Sequence, residues 1–260
     1  MGKFTVYGAP QSTCSQRVRY ALHAKAIRFE EVKLDLFSGD QLKPDYLQLN
    51  PNGVVPTLVH GENVVTDSSV ILEYLDEADP SLPKFAPEDA AGRAKVRSMM
   101  RYIDEILAPS IRAPSYNLAF LPHFQSMSQQ EFEELANSKP LRREFLMKMG
   151  RTGFPEAEMQ GALGKLRRGV VRMAEWLAES GGPWLRGECI SFADILAMPV
   201  IVRMDDINLS HVWDDLPAIG GWLRKVENTP AFSPTFYAGS LLTDKYQHLA
   251  HLKKPAGRDG

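Results

Sequence analysis

The chain has 260 residues, 44% hydrophobic and 24% charged, with a formal net charge of −2. That length supports one large or two small cores, and the near-neutral balance argues against a general nucleic-acid surface. No apolar run approaches the roughly 20 residues of a membrane helix, and the longest, Ile195 to Val202, carries Pro199.

Phe4 to Tyr7 reads as a short strand, ended by Gly8-Ala9-Pro10. Ser15 to Lys25 reads as a helix, with Val18, Ala21, Leu22 and Ala24 near one face. Val32, Leu34 and Leu36 alternate with Lys33 and Asp35, which predicts a half-buried strand. Asp40 to Leu49 is expected as a short helix or turn. Thr57 to His60 and Asn63 to Val65 form a hairpin around Gly61-Glu62, and Val70, Ile71, Tyr74 and Leu75 follow at helical spacing. The order βαβ then αββα predicts a small four-stranded α/β domain over residues 1–77.

Residues 78–87 read as a linker, because the prolines and the Asp79-Pro80 step break any arriving helix. An all-helical domain is expected over residues 88–252. Val96, Met99, Met100, Ile103, Ile106 and Leu107 mark one helix, and Met159, Leu163, Leu166, Val170, Met173 and Leu177 another. Ser191-Phe192-Ala193-Asp194 reads as a capping box, with Ile190 and Ile195 placed for a hydrophobic staple. Pro199 is expected to kink or shorten that helix. Leu216 to Val226 is a further helix opened by Pro217, and residues 253–260 form a polar tail.

The segment Asn50 to Leu58, followed by Thr66-Asp67-Ser68-Ser69, carries the most chemistry. Pro56 at the mouth of a strand removes a backbone donor, and a cis Val55-Pro56 bond would leave the Val55 N–H and C=O free for an extended peptide. Asp67 and Ser68 would open a helix, where backbone N–H groups and the dipole attract a carboxylate. Together these residues predict a cradle for a small peptide with a free carboxylate. Two cysteines, Cys14 and Cys189, make no disulfide framework, and the six histidines add no metal spacing, so no metal is expected. The opening Met1 to Val6 lacks a signal peptide's apolar stretch, and a cytoplasmic setting is the expectation.

This arrangement resembles the glutathione S-transferase superfamily. The resemblance rests on Val55-Pro56, Asp67-Ser68 and the box from Ser191 to Asp194, and spans nearly the whole chain. Ser12 to Arg19 is similar to the serine-containing first turn of the theta and zeta classes. Met127 to Glu134, Thr152-Gly153-Phe154-Pro155, Val65 to Ser68 and Ile103-Asp104-Glu105 together resemble the bacterial glutathione-dependent β-etherases. The resemblance implies a thioredoxin-like N-terminal domain, an all-helical C-terminal domain, glutathione as co-substrate and a homodimer. It also implies backbone pairing of glutathione at Val55-Pro56, γ-glutamyl contacts at Asp67 and Ser68, Gln41 near the glycyl carboxylate, and Asp104 reaching the γ-glutamyl amine across a dimer. Many members carry lysine or glutamine where Val54 stands, so here affinity rests more on backbone contacts.

A thiol of ordinary pKa, about 8.5, is mostly protonated at neutral pH, and only the thiolate is a strong nucleophile. A serine hydroxyl at a helix N-terminus can donate a hydrogen bond to that thiolate. Ser12 fits the zeta-like pattern and Ser15 the β-etherase count, while either can simply cap the helix. Cys14 beside them is either a reactive thiol or a small packing residue. The segment from Pro109 to Phe154 is rich in aromatics and methionines, with Tyr116 and Phe120 the first choices for an apolar pocket. The implied reaction is thiolate attack on a hydrophobic aromatic electrophile, including β-aryl ethers of lignin-derived compounds. A zeta-like isomerase of maleyl-type acids is the alternative, opposed by the absence of an obvious basic pocket for a dicarboxylate. A non-catalytic adaptor on the same fold is the third reading.

Overall fold

The computed structural model describes residues 3–79 and 81–253. Strand β1 (Phe4–Gly8), helix α1 (Thr13–Ala24) and strand β2 (Phe29–Lys33) form a strand–helix–strand unit, with β1 and β2 parallel. Helix α2 (Pro44–Leu49) follows. Strands β3 (Thr57–His60) and β4 (Asn63–Thr66) form an antiparallel hairpin, and β3 also runs antiparallel to β1. The sheet order is β2-β1-β3-β4, and helix α3 (Ser68–Ala78) closes the unit. Alternation drives this assembly: Phe4, Val6 and Gly8 are buried, whereas Thr5 and Tyr7 are half-buried.

The second strand lies earlier than the alternation of Val32, Leu34 and Leu36 predicts. It ends at Lys33, and Leu34 and Leu36 instead line a cleft. Period-two alternation reports an extended, half-buried segment; it does not say whether sheet or cavity covers the buried side.

Beyond α3 the chain is helical. Helix α4 (Ala90–Tyr102) continues through a π-helical stretch, Ile103–Leu107, into α5 (Ala108–Ser110) and α6 (Arg112–Ser115). A second π-helical stretch, Tyr116–Phe120, leads into α7 (Leu121–Gln125). Pro109, Pro114 and Pro122 lack the N–H that an α-ladder needs, which accounts for the short pieces here. Helices α8 (Gln129–Asn137), α9 (Arg143–Met149), α10 (Glu156–Ser180), α11 (Phe192–Asp206), α12 (Pro217–Glu227), α13 (Phe232–Thr235) and α14 (Leu242–Lys245) complete the order.

Helix α11 runs through Pro199 without interruption, contrary to the expected shortening. It is buried along nearly its whole length, and packing on all sides outweighs the one missing hydrogen bond. Its N-terminus carries the full capping box: Asp194 accepts hydrogen bonds from Ser191 N and Ser191 Oγ at 2.9 and 2.8 Å. One continuous core joins α1, α3, α4 and α11 through Val18, Leu22, Ile71, Leu75, Met99 and Ile195. A second cluster of Phe124, Phe132, Ala136, Leu146, Met149 and Phe154 sits under α7 to α9. Most aromatics of the 109–154 segment therefore build a small core of their own.

The segment after α3 is tied down. Buried Lys25 pairs with Asp76 at 2.7 Å and donates to Pro83 O at 2.6 Å, while Asp76 accepts from Phe85 N and Ala86 N. Residues 254–260 of the expected tail lie outside the described residues, as do Met1, Gly2 and Pro80.

Candidate active site

A cleft of about 220 Å³ opens where the N-terminus of α1 meets α6, α7 and the 139–146 segment. Ser12 is the N-cap of α1, with extended backbone, and its Oγ accepts the Ser15 N–H at 3.3 Å. That bond occupies a lone pair and leaves the hydroxyl proton free to donate. Ser12, Thr13 and Cys14 all line the cleft, so the unpaired N–H groups of the first turn and the positive end of the dipole lie at its wall. This is a site built to favour an anion.

Ser15 lies elsewhere. It is buried and absent from the cleft lining, and its Oγ accepts the Ala9 N–H at 3.2 Å. It packs so closely on β1 that a Cβ at Gly8 would come within 3.1 Å of it. Ser12 is still extended at the cap, so its side chain does not follow the helix face on which Ser15 sits, and Ser15 instead holds the β1–α1 loop. Ser15→Ala is therefore expected to cost about 1 kcal/mol of stability and leave the thiol pKa of bound substrate unchanged, as read by denaturation and by ultraviolet titration. Cys14 is half-buried and lines the cleft. Cys14→Ala is expected to hold kcat within about threefold of the parent, and a hundredfold loss would transfer the central role to the sulfur.

The Val55-Pro56 bond is cis. Val55 lines the cleft and makes no hydrogen bond to another described residue; Pro56 stands behind it, outside the lining. The preceding carbonyl, that of Val54, is fixed by Tyr46 Oη at 2.5 Å and Asn50 Nδ2 at 2.9 Å. Gln41 is buried, lines the cleft, and donates from Nε2 to Leu36 O at 3.3 Å, while its Oε1 has no partner. Such an orphaned acceptor is costly unless an N–H donor reaches it.

Asp67, Ser68 and Asp104 form a separate polar group outside that lining. Asp67 has a positive φ of 70° and caps α3, accepting from Ser69 N at 2.8 Å and Val70 N at 3.3 Å. A non-glycine residue there costs on the order of 1–3 kcal/mol, which marks the turn as constrained. Ser68 Oγ accepts from Arg17 Nη1 at 3.2 Å, and the same nitrogen donates to Asp104 at 2.7 Å. The second Asp104 oxygen accepts from Ser69 Oγ at 2.6 Å, so both oxygens are engaged within the chain. Arg17 is buried and its Nη2 has no partner. Sequence reasoning missed Arg17; its one signal was a charge on the buried side of an amphipathic helix.

Tyr116 and Phe120 line the cleft with Phe37, Phe124 and Tyr246. Tyr116 stacks on Phe124 at 5.9 Å and meets Phe120 edge-on at 4.9 Å; Phe120 in turn meets Tyr246 at 5.6 Å. Five cations share the same lining: Arg112, Lys139, Arg142, Arg203 and Lys245. The expected absence of a basic pocket is therefore overturned. The cations are scattered from 112 to 245 in sequence, and only folding gathers them. Burial lowers the pKa of Arg203 to about 10 and pushes Lys139 down as well, whereas it pushes the Tyr116 and Tyr246 phenols up. Among the described residues no group of histidine, cysteine, aspartate and glutamate could hold a metal, and no helix is long and apolar enough to cross a membrane.

A four-stranded mixed sheet with a cis-proline loop, backed by a helical half and opening at a serine-capped helix, defines a thioredoxin-like protein with an added helical half. The chain belongs to the glutathione S-transferase family: the model of the family's N-terminal domain matches residues 11–78 and that of its C-terminal domain residues 122–230. Glutathione S-transferase 1 of Dianthus caryophyllus is 31% identical over 200 residues, covering 77% of this chain and 76% of that protein. Protein LigF of Sphingobium sp. strain SYK-6 is 29% identical over 222 residues, 83% of this chain and 86% of that one. The crystal structure of that β-etherase superposes with a TM-score of 0.81 at 26% identity, covering 90% of this chain and 98% of the other. A Caenorhabditis elegans protein named "Probable maleylacetoacetate isomerase" is 28% identical over 232 residues, 88% of this chain and 91% of that one.

Proposed function

We propose that this protein binds glutathione along Val55 and activates its thiol beside Ser12 for attack on an aromatic electrophile, cleaving β-aryl ethers. The observation that carries the reading is the Ser12 hydroxyl, whose oxygen accepts only the Ser15 N–H, at a helix N-terminus lining a cleft walled by Tyr116, Phe120 and Phe124. Likeness to LigF, a named β-etherase, supports the ether as the bond broken.

Glutathione is the co-substrate, and the unpaired groups suit it. Val55 offers a free backbone N–H and C=O, and Gln41 Oε1 suits a peptide N–H better than a carboxylate. The α3 N-terminus at Asp67 and Ser68, with Arg17 behind it, suits the γ-glutamyl end. Asp104 acts there by holding Arg17 and Ser69.

In the reaction the thiolate sulfur attacks the carbon bearing the aryloxy group, next to a carbonyl that makes that carbon electrophilic. The carbon–sulfur bond forms as the carbon–oxygen bond breaks, and the phenolate leaves and takes a proton from water. Holding both reactants in one cleft supplies much of the acceleration. Incubation with glutathione and an α-keto β-aryl ether is expected to release phenol and glutathione thioether in equal amounts; no phenol release would end the ether reading.

A second reading, cis–trans isomerisation of a maleyl-type acid, gains from the cationic lining and from the isomerase-named relative. Maleyl-acid turnover without thioether formation would favour it. A cytoplasmic homodimer completes the proposal. Val64 and Val70, 43% and 55% exposed, suit a covered face, and light scattering checks the assembly.

A further inference from the structure

Among the described residues, the cleft lining holds five cations and no aspartate or glutamate. Three of the cations have other occupations. Arg203 lies 4.0 Å from buried Asp206. Lys139 Nζ donates to Leu36 O, the carbonyl that Gln41 also contacts, on the side proposed for the tripeptide. Lys245 is exposed and reaches Gln11 Oε1 at 3.4 Å.

Arg112 and Arg142 differ. Both are half-buried, and neither pairs with a carboxylate among the described residues. The Arg112 guanidinium makes no hydrogen bond to a described residue, and that of Arg142 donates only to the adjacent Leu141 O. The two guanidiniums feel each other: burial lowers the Arg112 pKa, and the charge of Arg142 lowers it further. Both also act on the Tyr116 phenol, whose hydroxyl bonds to no described residue. Two like charges, partly desolvated and without a counter-ion, repel more strongly than they would in water. An anion between them converts that repulsion into two attractions, and guanidinium is shaped to receive a carboxylate through paired N–H groups.

We propose that the second substrate is an aryl compound bearing a carboxylate, which Arg112 and Arg142 receive beside the Tyr116 ring. This rests on the transferase reading and adds the charge of the electrophile to it. The ring packs against Tyr116 and Phe120 while the carboxylate meets the guanidiniums. A neutral aryl ether would leave both cations uncompensated, so the cleft holds it more weakly than a carboxylated counterpart that it cleaves by the same step.

Binding tests the proposal without turnover. Full-length protein saturated with S-methylglutathione, which has no free thiol, is titrated by calorimetry with phenoxyacetate and with its methyl ester. The acid is expected to bind at least roughly tenfold tighter than the ester, the scale of one charge-assisted contact. Arg112→Gln and Arg142→Gln are each expected to bring acid and ester within about threefold, while S-methylglutathione affinity moves less than about twofold and Arg112→Lys recovers part of the preference. Equal binding of acid and ester by the parent, no binding of the acid, or an undiminished preference in both glutamine variants would overturn it. So would a matching loss of S-methylglutathione affinity, because the guanidiniums would then serve the tripeptide. An intact acid preference without phenol release would sink only the ether-cleavage reading and sustain the anion site.

Discussion

Ser12→Ala is expected to lower kcat/KM for glutathione conjugation by roughly 10- to 100-fold, the loss of one hydrogen bond to a charged group, about 1.5–3 kcal/mol. The hydroxyl of Ser12 lines the cleft, accepts from Ser15 N and keeps one proton to give to a partner there. On the proposed role, its removal withdraws a bond made to the thiolate and not to the thiol. The pKa of bound glutathione should therefore rise, by about one to two units at 1.36 kcal/mol per unit. The pH–rate profile should move upward by the same amount, and the activity deficit should shrink at high pH, where the thiolate forms unaided. Ser12→Thr keeps a donor and should recover most of the rate. Glutathione affinity at low pH, where the thiol is protonated in both proteins, should change little. An unshifted pH profile with a reduced rate would mean that Ser12 serves as a cap alone. The same substitution removes that cap, which costs about 1 kcal/mol of stability, and thermal denaturation measures this part separately.

Asp194→Ala is expected to be the most damaging single change to stability, at roughly 3–5 kcal/mol. Its carboxylate is fully buried and accepts four hydrogen bonds: Leu185 N and Ser191 N at 2.9 Å, and Ser191 Oγ and Trp222 Nε1 at 2.8 Å. Burial pushes its pKa up, and the four donors oppose that rise. Truncation leaves the Leu185, Ser191 and Trp222 donors inside the protein without partners, each a loss of about 1–3 kcal/mol. It also opens a cavity at the foot of α11, the helix on which α1 packs. The melting temperature should fall by roughly 10 °C, given about 2–4 °C per kcal/mol for a chain of this size. Asp194→Asn keeps the volume but places an N–H₂ among N–H donors, so it should recover less than half of the loss. Urea denaturation checks both variants, and a change below about 1 kcal/mol in the alanine protein would remove the claim. Ser12 should be unaffected in geometry, so any protein that stays folded keeps its thiol pKa. The two largest effects thus separate cleanly, one on chemistry and one on stability.

Local signals were legible wherever a short stretch of chain decides its own conformation. The hairpin at Gly61-Glu62, the cap at Asp67, the box at Ser191 to Asp194 and Pro56 all sit where the residue types place them. Their physics is local: a turn, a cap or a missing N–H needs only a few neighbours. The alternation from Val32 to Leu36 misled because half-burial against a sheet and half-burial against a cleft leave the same pattern. Pro199 did not shorten its helix, because a helix buried on every side tolerates a missing hydrogen bond that a surface helix does not. The choice between Ser12 and Ser15 stayed open because both suit a first helical turn by residue type.

Residue order alone disclosed the strands of the sheet, the long helices α1, α3, α4, α10, α11 and α12, the family resemblance, and a short roster of serines, a cysteine and a proline loop for thiol chemistry. Only folding revealed which serine lines the cleft, that Arg17 joins Ser68 to Asp104, and that Arg112 and Arg142 share the cleft with Tyr116 without carboxylate partners. The physical reason is range. Backbone preferences and capping act over one turn of chain, whereas a cavity's charge is the sum over residues brought together from distant positions.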